Sequence, residues 1–306
     1  MKALVYKSTG SWYVIKTEEG NTLKSRIKGK FKIDDITSTN PIAVGDKVEV
    51  EFEDDGNAVI TNIEERRNYI TRQAPHPKTQ HHIIASNLDQ SLLFATIREP
   101  KTSLGFIDRF LITSEAYQIP CLIIFNKSDL YDEKDMERFE EIKSIYEPIG
   151  YKIILMSLEK KQGVNEVKNL LKDKTTLLSG HSGVGKSSFI NNIFPELALK
   201  TQDVSDWSGK GMHTTTFAEM FDLPFGGKII DTPGLREFAL MDIAKDELAL
   251  YFPEMVALKK DCKFTNCIHI NEPGCAVKQG VETGAVSIER YASYLSLLDG
   301  ITAKKW

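Results

Sequence analysis

Residues 180–187 place the strongest constraint on what this chain can fold into. They read Gly-His-Ser-Gly-Val-Gly-Lys-Ser, a full match to the pattern G-x-x-x-x-G-K-[ST]. A strand-like apolar run at residues 175–178 precedes the match, and a helical pattern begins at Lys186. A phosphate-binding loop requires this context, because backbone N–H groups and a helix N-terminus must face one anion. The sequence therefore predicts a parallel sheet that carries this loop at the carboxyl end of one strand.

The residues of this loop have distinct expected roles. Glycines let the backbone close around phosphate groups. We expect Lys186 to reach the β- and γ-phosphate oxygens as a catalytic cation and Ser187 to bind Mg²⁺. The residues predicted to contact the nucleotide here are Gly180, His181, Ser182, Gly183, Val184, Gly185, Lys186, Ser187 and Ser188.

A second motif, Asn-Lys-Ser-Asp at residues 126–129, follows another apolar run. The Asp129 carboxylate can accept hydrogen bonds from both N1–H and N2–H₂ of guanine, a donor pair that adenine lacks. Lys127 can lie over the base, Asn126 can brace the loop, and Ser128 belongs to the same predicted contact set. Together with the phosphate loop, this motif favours GTP over ATP.

Two further strand ends complete the predicted nucleotide site. Ser157 follows an apolar run, and we expect its backbone N–H, with that of Leu158, to reach the guanine O6. Asp231 begins the stretch Asp-Thr-Pro-Gly at residues 231–234. It is expected to hold Mg²⁺ through water, while the Gly234 N–H senses the γ-phosphate.

The segment between the phosphate loop and Asp231 ends in Gly-Met-His-Thr-Thr-Thr at residues 211–216. One of these threonines, with Thr215 as the candidate, is expected to complete the Mg²⁺ shell. Leu235 stands where Ras-like enzymes carry the glutamine that orients water. We therefore hypothesise that His213 positions the attacking water. The alternative is that His213 only packs against its loop or caps it.

The order of the motifs is rotated. In an ordinary P-loop GTPase the phosphate loop comes first and the base-reading motif comes late, whereas here residues 126–129 precede residues 180–187. This chain would therefore form the same sheet as an ordinary P-loop GTPase but begin it at a different strand. The γ-phosphate sensor at residues 231–234 then lies near the end of the nucleotide domain. Whatever follows is covalently joined to the part that moves.

Residues 1–70 contain about five short strand-like runs separated by turn residues, typical of a small OB-type barrel. Within them, cations occupy alternate positions, so an extended strand would project all of them from one face. The segment as a whole is not basic, with 11 Lys/Arg against 12 Asp/Glu. We expect this stripe to contact RNA phosphates, and a solvated outer face is the alternative. The stripe is Lys24, Arg26, Lys28, Lys30 and Lys32.

The C-terminal segment contains three cysteines and one histidine within 14 residues: Cys262, Cys267, His269 and Cys275. Three thiolates and an imidazole form the closed tetrahedral set of a structural zinc site. Helical patterns flank this loop. In a segment of this size, metal binding would supply much of the folding free energy. The remaining cysteine, Cys121, lies in an apolar run and is expected to be part of the core.

These features predict three domains, at residues 1–70, 71–235 and 236–306. The fold class is α/β: a circularly permuted P-loop GTPase domain with an N-terminal OB-type β-barrel and a C-terminal α-helical zinc-binding domain. A net charge of −4 argues against a uniformly basic nucleic-acid binder. No apolar run approaches the roughly 18 residues of a membrane span, and no signal-peptide pattern begins the chain. We expect a cytoplasmic monomer that does not bind membranes.

The combination resembles the RsgA (YjeQ) family of circularly permuted GTPases over nearly the whole chain. The resemblance rests on the motif order, Lys-Gly-Lys-Phe-Lys at residues 28–32, residues 211–216, and the metal loop with Glu-Pro-Gly-Cys at residues 272–275. It implies a bacterial factor that binds the small (30S) ribosomal subunit and its rRNA during late maturation. Such a factor hydrolyses GTP when stimulated by that subunit and then leaves. The family usually has Arg where this chain has Met212.

Two other functions are compatible with the motifs. One is a regulatory GTPase whose partner is a protein. The other is an RNA-binding scaffold in which the nucleotide is only structural, although the intact Lys186 and Asp231 argue against it.

Overall fold

Five short strands close the N-terminal part of the chain into a barrel. The computed structural model describes residues 1–28, 41–53, 57–72, 82–197, 218–232 and 243–303. The barrel strands are β1 (Lys2–Ser8), β2 (Tyr13–Thr17), β3 (Thr22–Ile27), β4 (Lys47–Phe52) and β5 (Ala58–Ile63). Neighbours pair antiparallel except β3 and β5, which are parallel, and β4 returns to β1 to close the barrel. Alternate side chains fill an apolar interior. This confirms the predicted N-terminal barrel.

Beyond the barrel, a two-stranded hairpin leads into the parallel sheet. The hairpin consists of β6 (Tyr69–Arg72) and β7 (His82–Ser86). The sheet that follows contains β8 (Gln90–Ala95), β9 (Cys121–Phe125), β10 (Lys152–Leu155), β11 (Thr175–Ser179), β12 (Glu219–Asp222) and β13 (Lys228–Asp231). Its order is β10-β9-β8-β11-β13-β12, and only β12 runs antiparallel to its neighbour.

Helices cover both faces of this sheet, which explains the continuous apolar runs in the sequence. The helices are α1 (Leu104–Ala116), α2 (Glu133–Tyr146), α3 (Val164–Leu171) and α4 (Lys186–Ile193). On one face, Leu93 and Ile123 pack with residues of α1 and α2. On the other face, Leu92 and Ile124 pack with residues of α3 and α4. The predicted α/β class is confirmed.

The first barrel strand also extends the parallel sheet. Strand β1 pairs with β12 at Lys7 and Glu219, so barrel and sheet form one eleven-stranded hydrogen-bonded sheet. Lys7 Nζ lies 2.7 Å from Glu219 Oε2, and Tyr6 Oη donates to Asp222 Oδ1 at 2.7 Å. Lys16 Nζ contacts the same aspartate at 2.6 Å. Polar contacts therefore attach the barrel beside the β12–β13 hairpin.

The C-terminal segment is helical, as predicted. It contains α5 (Pro253–Lys259), α6 (Ala276–Thr283) and α7 (Ile288–Ala303), with the cysteine-rich loop between α5 and α6. Its apolar core includes Phe252, Met255 and Tyr294 and is joined by Ile112 of α1. The predicted boundary at 235/236 falls outside the described residues, and the three domain limits stay predictions. Among the described helices, none has the length and apolar content needed to cross a bilayer.

A buried ionic network joins this C-terminal module to the parallel-sheet domain. Arg290 of α7 is 1% exposed and donates from Nη1 to Asp108 Oδ1 of α1 at 2.8 Å. Its Nε and Nη2 donate to the two carboxylate oxygens of Glu254, at 2.8 and 3.0 Å. Tyr146 Oη also donates to Asp108, at 2.6 Å. Burial raises the pKa of Asp108, and the Arg290 charge opposes that rise. One buried cation therefore neutralises two carboxylates that belong to different parts of the chain.

Replacing Arg290 with Met should weaken this junction strongly. The substitution retains much of the apolar volume but leaves two buried carboxylates without a cation, so we expect the free energy of unfolding to fall by about 3–5 kcal/mol. Urea denaturation measures this change. Arg138→Met is the matched control, because its exposed pair with Glu141 spans one helical turn and contributes less than about 0.5 kcal/mol. Equal effects at the two positions would contradict the proposed importance of the network.

Candidate nucleotide and metal sites

The phosphate loop joins β11 to α4. It packs closely against Phe94 at one glycine and Asn126 at another. Gly180, Gly183 and Gly185 have φ angles of 137°, 83° and 98°, which side-chain-bearing residues rarely adopt. A Cβ at Gly180 would lie 2.3 Å from the Phe94 carbonyl oxygen, and one at Gly185 would lie 2.3 Å from Asn126 Nδ2. Both glycines are therefore required by close approach as well as by backbone conformation.

Two partly buried charged groups, Lys186 and Asp231, lie at the phosphate end of the site. Lys186 Nζ donates to the carbonyl oxygens of Gly180 and His181, at 2.7 and 3.0 Å. Burial lowers the pKa of Lys186 and raises that of Asp231, and the charge of each residue opposes the shift of the other. Asp231 Oδ1 is buried and has no hydrogen-bond partner among the described residues. A phosphate and a hydrated divalent cation would satisfy both groups.

The hydroxyl residues of the loop occupy the positions that the motif predicts. Ser187 and Ser188 lie in the first turn of α4, Ser182 is exposed in the loop, and Val184 is fully buried. The ring of His181 turns toward α1, where it stacks on Phe106. The Ser187 hydroxyl and Asp231 carboxylate are oxygen donors of the kind that Mg²⁺ prefers, so the residues present fit this ion.

Asn126 connects the base-reading loop to the phosphate loop. Its Nδ2 donates to the Val184 carbonyl at 2.9 Å in a buried hydrogen bond. Its backbone N–H donates to the Ala95 carbonyl at 2.9 Å. Tyr131 Oη donates to the Asn126 carbonyl at 2.7 Å and accepts from the Ile97 N–H at 3.0 Å. The two motifs, separated along the chain, therefore meet at the carboxyl edge of the sheet.

The rest of the base-reading loop is held by backbone contacts. Lys127 has a left-handed φ of 62°, and its Nζ donates to the Glu99 carbonyl at 2.6 Å. The Ser128 N–H donates to the Met156 carbonyl at 3.1 Å. A short 3₁₀ turn, Ser128–Leu130, follows. These contacts place Asp129 beside the end of β10.

Ser157 acts on Asp129 in a way that the motif pattern does not predict. Its hydroxyl donates to Asp129 Oδ1 at 2.6 Å and accepts from the Lys160 N–H at 3.0 Å. Its own backbone N–H donates to the Gln162 carbonyl at 3.0 Å. The N–H that was predicted to reach guanine O6 therefore has a partner within the chain, and Ser157 holds the Asp129 carboxylate through its side chain. The contact of Leu158 with guanine O6 stays a prediction.

Several predicted site residues lie outside the described part of the chain. They are Lys30, Lys32, His213, Thr215 and Gly234. Their predicted roles in RNA contact, water positioning, Mg²⁺ binding and γ-phosphate sensing remain predictions.

The described part of the basic stripe has the predicted alternation and an unpredicted set of counter-charges. Lys24 and Arg26 are exposed on one face of β3, and Lys28, the residue after the strand, is exposed as well. Arg26 Nη2 lies 2.6 Å from Glu53 Oε2, and Lys28 Nζ lies 3.3 Å from Glu51 Oε2. These pairs are exposed and therefore weak. A polyanion could replace the carboxylates, but the stripe is less positive than the sequence alone suggests.

The predicted metal ligands converge. Their donor atoms all lie within 4.8 Å of one another. His269 Nδ1 lies 3.7, 3.4 and 3.3 Å from the sulfur atoms of Cys262, Cys267 and Cys275. Tetrahedral coordination with metal–sulfur bonds of ~2.3 Å and a metal–nitrogen bond of ~2.0 Å requires nitrogen–sulfur separations of ~3.5 Å. The cluster therefore fits a closed four-ligand metal site with Nδ1 as the histidine donor.

The loop that carries these ligands is held by its own backbone and by α7. Glu272 accepts hydrogen bonds from the N–H groups of Ile268, Ile270 and Asn271, at 2.8, 2.9 and 3.0 Å. Burial alone would raise the pKa of Glu272, but these donors lower it below its usual value. Tyr291 of α7 donates to the His269 carbonyl at 2.6 Å. The ligand loop is thus fixed from two sides.

Removing one cysteine ligand should release the metal. Cys275→Ala leaves three donors, and we expect bound zinc, measured by elemental analysis of purified protein, to fall from about one equivalent to near zero. Cys121→Ala is the matched control, because Cys121 lies in β9 outside the cluster. Full zinc content in Cys275→Ala would contradict the assignment of this ligand.

Removing the Ser157 hydroxyl should loosen the guanine-reading carboxylate. A hydrogen bond to a charged group contributes about 1.5–3 kcal/mol, so Ser157→Ala should weaken GDP binding by roughly tenfold to a hundredfold, measured with a fluorescent GDP analogue. The exposed Ser144 of α2 provides the control substitution Ser144→Ala, which should leave affinity unchanged. Unchanged affinity in Ser157→Ala would show that Asp129 is positioned without this hydroxyl.

Known proteins resemble the chain over both its nucleotide and barrel parts. Residues 63–241 match the RsgA GTPase family and residues 2–60 match the RsgA N-terminal domain. The Small ribosomal subunit biogenesis GTPase RsgA of Flavobacterium psychrophilum is 49% identical over 303 residues, covering 98% of this chain and 93% of that protein. The protein of the same name from Cytophaga hutchinsonii is 52% identical over 300 residues, covering 97% and 98%.

Solved structures agree with this assignment. The crystal structure of YjeQ from Thermotoga maritima is 32% identical and superposes with a TM-score of 0.80, covering 99% of each chain. The structure of YloQ, described as a circularly permuted GTPase, is 30% identical with a TM-score of 0.75, covering 100% of this chain and 96% of that one. These likenesses confirm the circular permutation inferred from the motif order. The chain belongs to the RsgA family of circularly permuted GTPases.

Proposed function

We propose that this GTPase assists biogenesis of the small ribosomal subunit, hydrolysing GTP to GDP and phosphate when bound to that subunit and then dissociating. The observation that carries the proposal is the hydrogen bond from Asn126 to Val184, which brings the base-reading and phosphate loops together. The names of the relatives, Small ribosomal subunit biogenesis GTPase RsgA, support the choice of partner. We expect the protein to act in the cytoplasm as a monomer.

In this proposal the pocket selects and holds GTP through residues from four strand ends, those of β9, β10, β11 and β13. Asp129, oriented by Ser157, accepts from the guanine donors. Lys186 leaves the loop carbonyls to contact the β- and γ-phosphates, where it offsets the charge that develops during transfer. Mg²⁺, held by Ser187, Asp231 and Thr215, would neutralise phosphate charge in the bound state.

Hydrolysis then needs a group that orients water. The chain has Leu235 at the position of the Ras-like glutamine, so we assign the role to His213 in the assembled complex. The segment that contains His213 lies between the phosphate loop and β12 along the chain.

The C-terminal cluster has a structural rather than catalytic role in this scheme. All four donors are supplied by the protein, so a bound zinc ion would have no coordination position for water. The site would stabilise the loop between α5 and α6 and present it to RNA. Together with the barrel stripe, it would contact rRNA chiefly through phosphates.

The bound nucleotide, GTP or GDP, would control the contact with rRNA through the segment that follows Asp231. GTP would hold the sensor at residues 231–234 in place, and that stretch leads along the chain to the C-terminal module. A ligand shifts such an equilibrium only by its difference in affinity for the two states. GTP should therefore favour the subunit-binding arrangement, and hydrolysis should release it.

GTP turnover measured with and without purified small subunits, across a salt series, tests this function. We expect subunits to accelerate turnover and the acceleration to fall steeply as salt rises. Changing Lys24, Arg26 and Lys28 together to Gln should weaken subunit binding and reduce the salt slope by about one for each phosphate that is no longer neutralised. The matched control changes Lys134, Lys172 and Lys245, which are exposed outside the barrel.

The outcomes separate this proposal from the alternatives. Salt-independent stimulation that survives neutralisation of the stripe would favour a protein partner over RNA. Absence of turnover with saturating subunits would favour a scaffold whose nucleotide is structural. Either result would contradict the proposed mechanism.

A further inference from the structure

Helix α1 contacts the phosphate loop near its own N-terminal end. The ring of Phe106 stacks on the ring of His181, with centroids 3.8 Å apart and planes inclined by 29°. His181 also contributes a carbonyl oxygen to Lys186 Nζ, at 3.0 Å. One loop residue therefore contacts α1 through its ring and the phosphate-binding lysine through its backbone.

The same helix is anchored to the C-terminal module. Asp108, two residues after Phe106, receives the buried hydrogen bond from Arg290 at 2.8 Å. One turn further, Ile112 belongs to the apolar core of that module. The first turn of α1 thus contacts the phosphate loop, and its middle lies in the interface with α7.

Helix α7 continues the chain of contacts to the metal loop. Tyr291, the neighbour of Arg290, donates to the carbonyl of the ligand His269 at 2.6 Å. Tyr294 donates to the Ile268 carbonyl at 2.6 Å. The route from His181 to the metal ligand therefore consists of three direct contacts, joined by one or two residues of α1 and of α7.

A bound nucleotide would change the first step of this chain. When Lys186 moves to the phosphates, the His181 carbonyl loses its ammonium donor, while the loop N–H groups turn to the phosphate oxygens. The His181 backbone must adjust, and its ring is stacked on Phe106. Because packed interfaces shift between discrete arrangements rather than deform continuously, such an adjustment can reach α1 as a whole.

We propose that Phe106 is a positioning residue through which α1 transmits occupancy of the phosphate loop to the metal-binding module. The inference rests on the proposed nucleotide site, but it adds a second route beside the chain that leaves Asp231. The sensor proposed at residues 231–234 would distinguish GTP from GDP, because its predicted contact is with the γ-phosphate. The α1 route responds to any nucleotide that engages Lys186, GDP included.

Hydrogen exchange of the α7 amides in the full-length protein tests the proposal, with and without saturating Mg²⁺ and GDP. An aromatic stack limits the coupling to about two- to tenfold, so GDP should slow exchange in α7 by that factor. Phe106→Ala and the volume-retaining Phe106→Leu should reduce the effect to less than about twofold. Phe106→Tyr keeps the ring and should retain it. Glu140→Ala, at an exposed position of α2, is the control substitution.

Affinity for a fluorescent GDP analogue should be measured on the same samples. It distinguishes failure of the proposed nucleotide-binding function from failure of the proposed coupling alone. A wild-type protein that binds no GDP would contradict the proposed function itself. Binding of GDP without any change in α7 exchange would contradict only the coupling. If GDP slows α7 exchange in both Phe106→Ala and Phe106→Leu as much as in the wild type, the coupling proposal is also wrong. The Phe106–His181 stack would then not be needed to transmit nucleotide binding.

Discussion

The hydrogen bond from Asn126 to the Val184 carbonyl joins the two loops that a guanine nucleotide must span. The bond is buried, so losing it would leave a polar group unsatisfied as well as free the loops. The 2.3 Å between Asn126 Nδ2 and a Cβ built at Gly185 shows that no side chain fits between them. The contact depends on which strands are neighbours in the sheet, β8, β9 and β11, and not on their order in the chain. Permutation can therefore rearrange the connections while the pocket stays intact.

Features with local signals were predictable from the sequence. Continuous apolar runs indicated buried parallel strands, the glycines of residues 180–185 matched a loop of defined shape, and the spacing of Cys262, Cys267, His269 and Cys275 indicated a ligand set. Contacts between distant side chains gave no such signal. Arg290 pairs with Asp108, 182 residues away, and nothing in the helical pattern around Arg290 distinguishes it from an exposed arginine. The hydroxyl of Ser157 was likewise missed, because only the folded loop places it against Asp129.

For the basic stripe of the barrel, the periodicity of the sequence predicted which side of the strand the cations occupy but not which residues pair with them. Alternation along β3 correctly placed Lys24 and Arg26 on one face. It could not identify their partners, because Glu51 and Glu53 come near β3 only when the barrel closes. The face is therefore a mosaic of opposite charges. If it binds RNA as proposed, the phosphates must replace these carboxylates, so the affinity would depend strongly on ionic strength.

Without the barrel, β12 would be an exposed edge strand of the sheet. Its unpaired backbone groups would then be a template for adding a strand from another molecule. In the intact chain, β1 pairs with this edge at one position, Lys7 opposite Glu219, and Tyr6 and Lys16 add contacts to Asp222. The barrel thus occupies part of this edge, in addition to any role in recognition. A fragment that lacks residues 1–63 would be liable to aggregate even with a complete nucleotide pocket.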